Sequence, residues 1–195
     1  MRIIVVSGML GVGKTSTVLK MIGLLMQRGY KVAIIENEFG SKGVDGEIIR
    51  KNGMEVLELE GGCVCCTMKA GLVTTLRYLQ SDVKPDIVIV EPSGIADPQH
   101  IIGIQDVTGI EVSSVSAVIV TDAERFMKMK RMFERPLKNQ FAVADIVLLN
   151  KIDTVTEKEA EEIEVEIRSF GYSGKIIRTQ AEEGLNMDVI PDEIL

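Results

Sequence analysis

The sequence predicts an α/β domain built on a doubly wound, mostly parallel sheet flanked by helices. Three observations predict it. Short apolar, β-branched runs alternate with stretches of helical periodicity, the pattern of an open parallel sheet. The runs themselves (RIIVV, KVAII, DIVIV, SAVIV and DIVLL) lack the polar alternation of a half-exposed strand, so both their faces should be covered. A glycine-rich turn joins the first run to the first helical stretch.

Strands are expected near 2–7, 31–36, 54–59, 86–91, 115–121, 145–150 and 174–178. After the first of them, Val18, Met21, Ile22 and Leu25 recur at the spacing of one helix face. Further on, Thr156 and Glu159 have the spacing of a capping box. Ala160, Ile163, Ile167 and Phe170 continue as an apolar stripe, and Gly171 is a natural helix stop. A chain of 195 residues can bury a sizeable core. No repeat, low-complexity tract or long linker divides it, so residues 1–195 read as a single domain. Most of the ten methionines sit at core positions of helices or strands and read as core filling.

The formal charge of −7 argues against a nucleic-acid backbone as the main partner. No apolar run approaches the roughly 20 residues of a membrane span. The chain enters an apolar strand directly, without the basic, apolar and small-residue pattern of a signal peptide. The expectation is a soluble, cytoplasmic protein with no membrane partner. The acidic stretch from Glu157 to Glu166 is interspersed with apolar residues and reads as a solvated helix face.

Gly8-Met9-Leu10-Gly11-Val12-Gly13-Lys14-Thr15 fits GxxxxGK[ST], between a predicted strand and a predicted helix. This is the P-loop pattern. Its glycines Gly8, Gly11 and Gly13 let backbone amides, that of Val12 included, approach phosphate without a Cβ clash. The helix N-terminus, through Ser16, adds partial positive charge. Lys14 is expected to reach the β- and γ-phosphates, and the Thr15 hydroxyl to bind Mg²⁺.

Asn150-Lys151-Ile152-Asp153 follows the strand DIVLL. At a strand end so far beyond a P-loop, NKxD reads guanine. The Asp153 carboxylate can accept from guanine N1–H and the 2-amino group. Adenine lacks that donor pair and would leave the carboxylate desolvated and unpaired. Lys151 can lay its stem over the base, and Gln180 and Ala181, after the last short strand, can close the pocket through backbone amides. Glu91-Pro92-Ser93-Gly94 has the ExxG form of the GTPase DxxG loop. Glu91 is expected to hold Mg²⁺ through water and the Gly94 amide to sense the γ-phosphate.

All three cysteines lie in Cys63-Val64-Cys65-Cys66, after Gly61-Gly62. An odd number in one tetrapeptide is a poor disulfide framework, so metal or redox chemistry is indicated. Three thiolates suit Zn²⁺ and can take Co²⁺ or Ni²⁺, but leave a tetrahedral site incomplete. Glu38, Glu60, His100, water or a client protein could supply the fourth ligand. An incomplete site suits transfer better than permanent structural binding.

With these motifs in order, the chain resembles the CobW/HypB/UreG family of metal-centre GTPases, and its CobW-like branch in particular. The matching segments are GMLGVGKTS, ENEFG at 36–40, GGCVCCT at 61–67, EPSG followed by IADP at 94–98, TDAERF at 121–126 and QFAVADIVLLNKID at 140–153. The resemblance implies GTP-gated handling of Zn, Co or Ni, or help in assembling a metallocofactor for a client metalloprotein. It places Glu36 and Glu38 in a switch segment near Mg²⁺ or the transferred metal, and Cys63, Cys65 and Cys66 on that metal. Two departures stand out: a second, C-terminal CobW-type domain is not expected within 1–195, and the His-rich tract of many relatives is replaced by the lone His100. The short length resembles single-domain maturation members, several of which dimerise with nucleotide.

Ile95 follows EPSG where Ras-like proteins orient water with glutamine, and no arginine is obviously placed as a finger. Isolated turnover is therefore expected below about 0.1 s⁻¹. Two other readings stay open from the residues: a GTP-regulated redox or metal-sensing switch without delivery, and an ATP-dependent small-molecule kinase, against which NKID argues.

Overall fold

The computed structural model describes residues 1–36, 55–58, 65–92, 98–103 and 109–195. Among them run seven strands: β1 (Arg2–Ser7), β2 (Val32–Glu36), β3 (Glu55–Glu58), β4 (Ile87–Glu91), β5 (Ser114–Asp122), β6 (Ile146–Asn150) and β7 (Lys175–Arg178). They form one sheet in the order β3-β2-β4-β1-β5-β6-β7. Every neighbouring pair is parallel. The helices are α1 (Lys14–Gln27), α2 (Cys65–Tyr78), α3 (Gln99–Ile102), α4 (Phe126–Ala142), α5 (Glu157–Ser169) and α6 (Ile190–Ile194). A π-helical turn, Leu79–Val83, extends α2. None of these helices is long and apolar enough to cross a membrane.

Burial on both faces explains the unbroken apolar runs. Ile4 and Val6 of β1 join Ile34 and Ile89 in a cluster with Val18, Met21, Ile22 and Leu25 of α1. Ile3 and Val5 point the other way and pack with Ile35, Val88 and Val90 against Leu72 and Leu76 of α2. The stripe expected on α5 is present, with Ala160, Ile163 and Ile167 buried and Phe170 packed against the same cluster. Gly171 then leaves the helix at φ +90°.

The acidic stretch is only partly a solvated face. Glu161 and Glu162 are exposed. Arg178 on β7, however, holds Glu164 at 2.5 Å and pairs with Glu157, and Lys130 pairs with Glu166. Helix α4 also departs from a simple reading. Pro136 removes one helical N–H, and its ring crowds the carbonyl of Met132. The backbone breaks at Phe133 (φ −137°, ψ 39°). Met132 is left 63% exposed, an exception among methionines that otherwise include the buried Met21, Met129 and Met187.

The capping box forms as its spacing predicts. The Glu159 amide donates to Thr156 Oγ1 at 3.3 Å, and the Thr156 amide donates to Glu159 Oε2 at 2.8 Å. Thr156→Ala should therefore destabilise the domain by about 1 kcal/mol. The check is a lower denaturant midpoint at an unchanged m-value.

Candidate functional site

The C-terminal ends of parallel strands are where an open α/β sheet builds its sites. Here β1 ends at Ser7 and the chain turns through Gly8–Gly13 into α1. The turn needs glycine for physical reasons. Gly8 has φ +150°, and a Cβ there would stand 2.2 Å from the Val120 carbonyl oxygen. Gly13 has φ +93°, and its Cβ would stand 2.4 Å from Asn150 Nδ2. The first turn of α1 carries no acidic residue, so its partial positive charge is unopposed there. Lys14 is buried and its Nζ donates to the Met9 carbonyl at 3.3 Å, folded across the loop. Val12 is fully buried, and Ser16 is half-buried in the same first turn.

Thr15 Oγ1 donates to Glu91 Oε1 at 3.3 Å, so the P-loop hydroxyl and the carboxylate ending β4 share one spot. Glu36 ends β2 in register with Glu91, and Glu58 ends β3 in register with Glu36. Glu36 shares its pleat parity with Val32 and Ile34, both in the cluster around α1. The Glu36 carboxylate therefore belongs to the α1 side of the sheet, beside the Thr15–Glu91 pair. Oxygen donors of this kind suit Mg²⁺.

Glu38, Glu60, Cys63 and Gly94 lie outside the described residues. Cys65 and Cys66 open α2, the helix that follows β3, and His100 sits in α3. Among the described residues, no group of three or more His, Cys, Asp or Glu side chains is gathered closely enough to hold a metal ion.

Residues of the NKxD segment dock directly on the P-loop. Asn150 is buried, and its Nδ2 donates to the Val12 carbonyl at 2.9 Å. Its Oδ1 accepts from the Ala181 amide at 2.9 Å and from Thr179 Oγ1 at 3.3 Å. One side chain thus joins the phosphate loop to the loop after β7. The Ala181 amide, expected to face the base, is engaged by Asn150 here. Gln180 is fixed by a bridge to Leu185. Lys151 adopts φ +59°, an uncommon conformation for a side-chain-bearing residue. Its Nζ donates to the Gly11 carbonyl at 3.0 Å and to Asp122 Oδ2 at 2.7 Å. Asp153 stands exposed on the following 3₁₀ turn, Ile152–Thr154.

Two residues of this site were not singled out from the sequence. Asp122 is fully buried at the end of β5, and its Oδ1 accepts from the Arg125 amide at 3.0 Å. Arg125 Nη1 reaches the Leu10 carbonyl at 3.4 Å, so an arginine does lie against the P-loop, on the carbonyl side. The available signal was a charged residue closing an apolar strand, in TDAERF.

A family profile described as the CobW/HypB/UreG nucleotide-binding domain matches residues 2–178. The chain belongs to that family. It is 30% identical over 181 residues to the zinc chaperone YeiR of Escherichia coli, a match covering 90% of this chain and 54% of that protein. The crystal structure of the Zn(II)-bound YjiA GTPase from E. coli superposes with a TM-score of 0.60 at 27% identity, covering 86% of this chain and 54% of that one. That of the hydrogenase maturation factor HypB from Archaeoglobus fulgidus superposes with a TM-score of 0.72 at 17% identity, covering 98% and 87%, and shows the shared fold. The chain spans about half the length of the curated relatives it matches.

Proposed function

We propose that this domain binds GTP or GDP with Mg²⁺, hydrolyses GTP slowly, and couples the nucleotide state to binding and delivery of a transition metal (Zn, Co or Ni) or to metallocofactor assembly. The observation that carries the nucleotide part is the docking of Asn150 and Lys151 on the carbonyls of Val12 and Gly11. It brings the NKxD segment to the phosphate loop, leaving Asp153 exposed at the edge to meet a base. Thr15 and Glu91 would hold Mg²⁺, which supplies charge neutralisation between the β- and γ-phosphates. Lys14 would leave the Met9 carbonyl to contact phosphate, and the Gly94 amide would sense the γ-phosphate.

For the metal, support comes from the donor set and from the relatives named zinc chaperones. The parallel register sets Glu36 beside Glu91, and Cys65 and Cys66 open α2, the helix that follows β3 in sequence. Cys63, Cys65 and Cys66 would bind the metal as thiolates, with Glu38 as a further ligand in the GTP state. The partner is a metalloprotein or cofactor-assembly client, with nucleotide-dependent homodimerisation as the second association. A delivery device is favoured over a bare redox switch by the relatives named zinc chaperones.

The test is a competition titration of Zn²⁺ and Co²⁺ in GDP and in a non-hydrolysable GTP analogue. Affinity should differ about 5- to 150-fold between the two states, the range of allosteric coupling. It should also climb with pH, because thiols ionise on coordination. Identical affinity in both states, or binding that survives Ser at all three cysteines, would refute the coupling.

A further inference from the structure

We propose that Asp122 is a positioning residue for the guanine nucleotide, acting through Lys151. This inference rests on the guanine reading above and names a residue that reading does not use. Asp122 closes β5 in register with Asn150 at the end of β6, so its carboxylate arises next to the NKxD segment across the sheet. The carboxylate is fully buried, and both its oxygens are engaged. Oδ2 takes the Lys151 ammonium at 2.7 Å, while Oδ1 takes the Arg125 amide at 3.0 Å.

The ammonium is the second link. From Asp122 it continues to the Gly11 carbonyl at 3.0 Å, and Arg125 reaches the neighbouring Leu10 carbonyl. Asp122 therefore pins one cation, the Lys151 ammonium on the Gly11 carbonyl, while its other oxygen holds only the backbone amide of Arg125. Lys151 has four rotatable side-chain bonds and a strained backbone, so its stem covers a base only if the ammonium is pinned. A buried carboxylate is a strong pin, since the bond is charge-assisted at both ends. Without it, the Lys151 stem is released, and the Gly11 peptide loses one of its restraints.

Asp122→Asn tests the assignment. Asparagine keeps an oxygen for the Arg125 amide, so the start of α4 survives while the anionic partner of Lys151 is lost. Binding of a fluorescent GDP analogue, with competition by GDP and ADP, is measured for the full chain in four forms: wild type, D122N, K151M and D122N/K151M. Thermal unfolding is followed in parallel.

D122N should weaken GDP at least about tenfold, the loss of one charge-assisted hydrogen bond. The double variant should bind GDP within about twofold of K151M alone, because Asp122 acts only through the lysine. A merely structural role would instead multiply the two losses and follow the fall in unfolding midpoint. D122N binding like wild type, or a multiplicative double variant, would overturn the proposal. Wild type that prefers ADP would overturn the guanine reading and this inference together, an outcome distinct from the other two.

Discussion

Asp153→Asn is expected to lose GDP affinity on the order of 100-fold or more, and to gain xanthosine diphosphate in its place. In the proposed guanine site the carboxylate of Asp153 would accept two hydrogen bonds from the base edge, each charge-assisted bond contributing roughly 1.5–3 kcal/mol. Asparagine offers one acceptor and one donor. Its NH₂ then opposes a guanine donor but matches the C2 carbonyl of xanthine. Asp153 is exposed, and its backbone is set by neighbours. The Ile152 amide donates to the Thr179 carbonyl at 3.1 Å, and Thr154 Oγ1 donates to the Lys151 carbonyl at 2.7 Å. The substitution should therefore leave the unfolding midpoint unchanged. Titrations with GDP, XDP and ADP provide the measurement, and GDP affinity within threefold of wild type would remove Asp153 from the base site.

Much of the fold was legible because parallel strands buried on both faces announce themselves locally. DIVIV and DIVLL need no partner to be recognised, and their observed bounds, Ile87–Glu91 and Ile146–Asn150, fall within a residue of those expected. The P-loop and NKID were legible for the same reason, since each is a short motif at a strand end. Non-local consequences were not. The order β3-β2-β4-β1 places Glu36 beside Glu91 although 55 positions of sequence separate them; the ExxG form and the resemblance set both near Mg²⁺, and the strand pairing supplies the register. Asp122 lies 29 positions from Lys151, and its role appears when β5 and β6 align. Arg125 passed unnoticed because nothing in TDAERF says which way its guanidinium turns. Pro136 marks α4 for a break, but that the break falls at Phe133 is visible only in the backbone geometry. The cysteine segment kept its sequence-level argument, since Cys63 lies outside the described residues.

The two glycines that frame the P-loop should fail in different ways. Gly8→Ala drives a methyl to 2.2 Å from the backbone oxygen of Val120, at φ +150°. That oxygen belongs to β5, paired with β1 from Arg2–Ser114 to Ser7–Ile119, so relieving the clash means prising apart central strands. Gly8→Ala should lower stability by about 3 kcal/mol or more, in the range of strained and overpacked substitutions, and lose nucleotide binding as a consequence. Gly13→Ala meets a side chain instead. Its methyl would stand 2.4 Å from Asn150 Nδ2, and Asn150 can rotate away. Doing so breaks the bonds to Val12 and Ala181 that tie the P-loop to the loop after β7. Gly13→Ala should thus weaken GDP on the order of 100-fold, with a stability loss of about 1–3 kcal/mol from the left-handed backbone and the unmet polar groups. The contrast is checked by chemical denaturation and GDP titration of both variants well below their unfolding midpoints. Adding Asn150→Ala decides the cause. In that background nothing occupies the space beside Gly13, so G13A should cost only the backbone strain, about 1–2 kcal/mol. An undiminished stability loss in the N150A background would show that Asn150 is not what Gly13 makes room for.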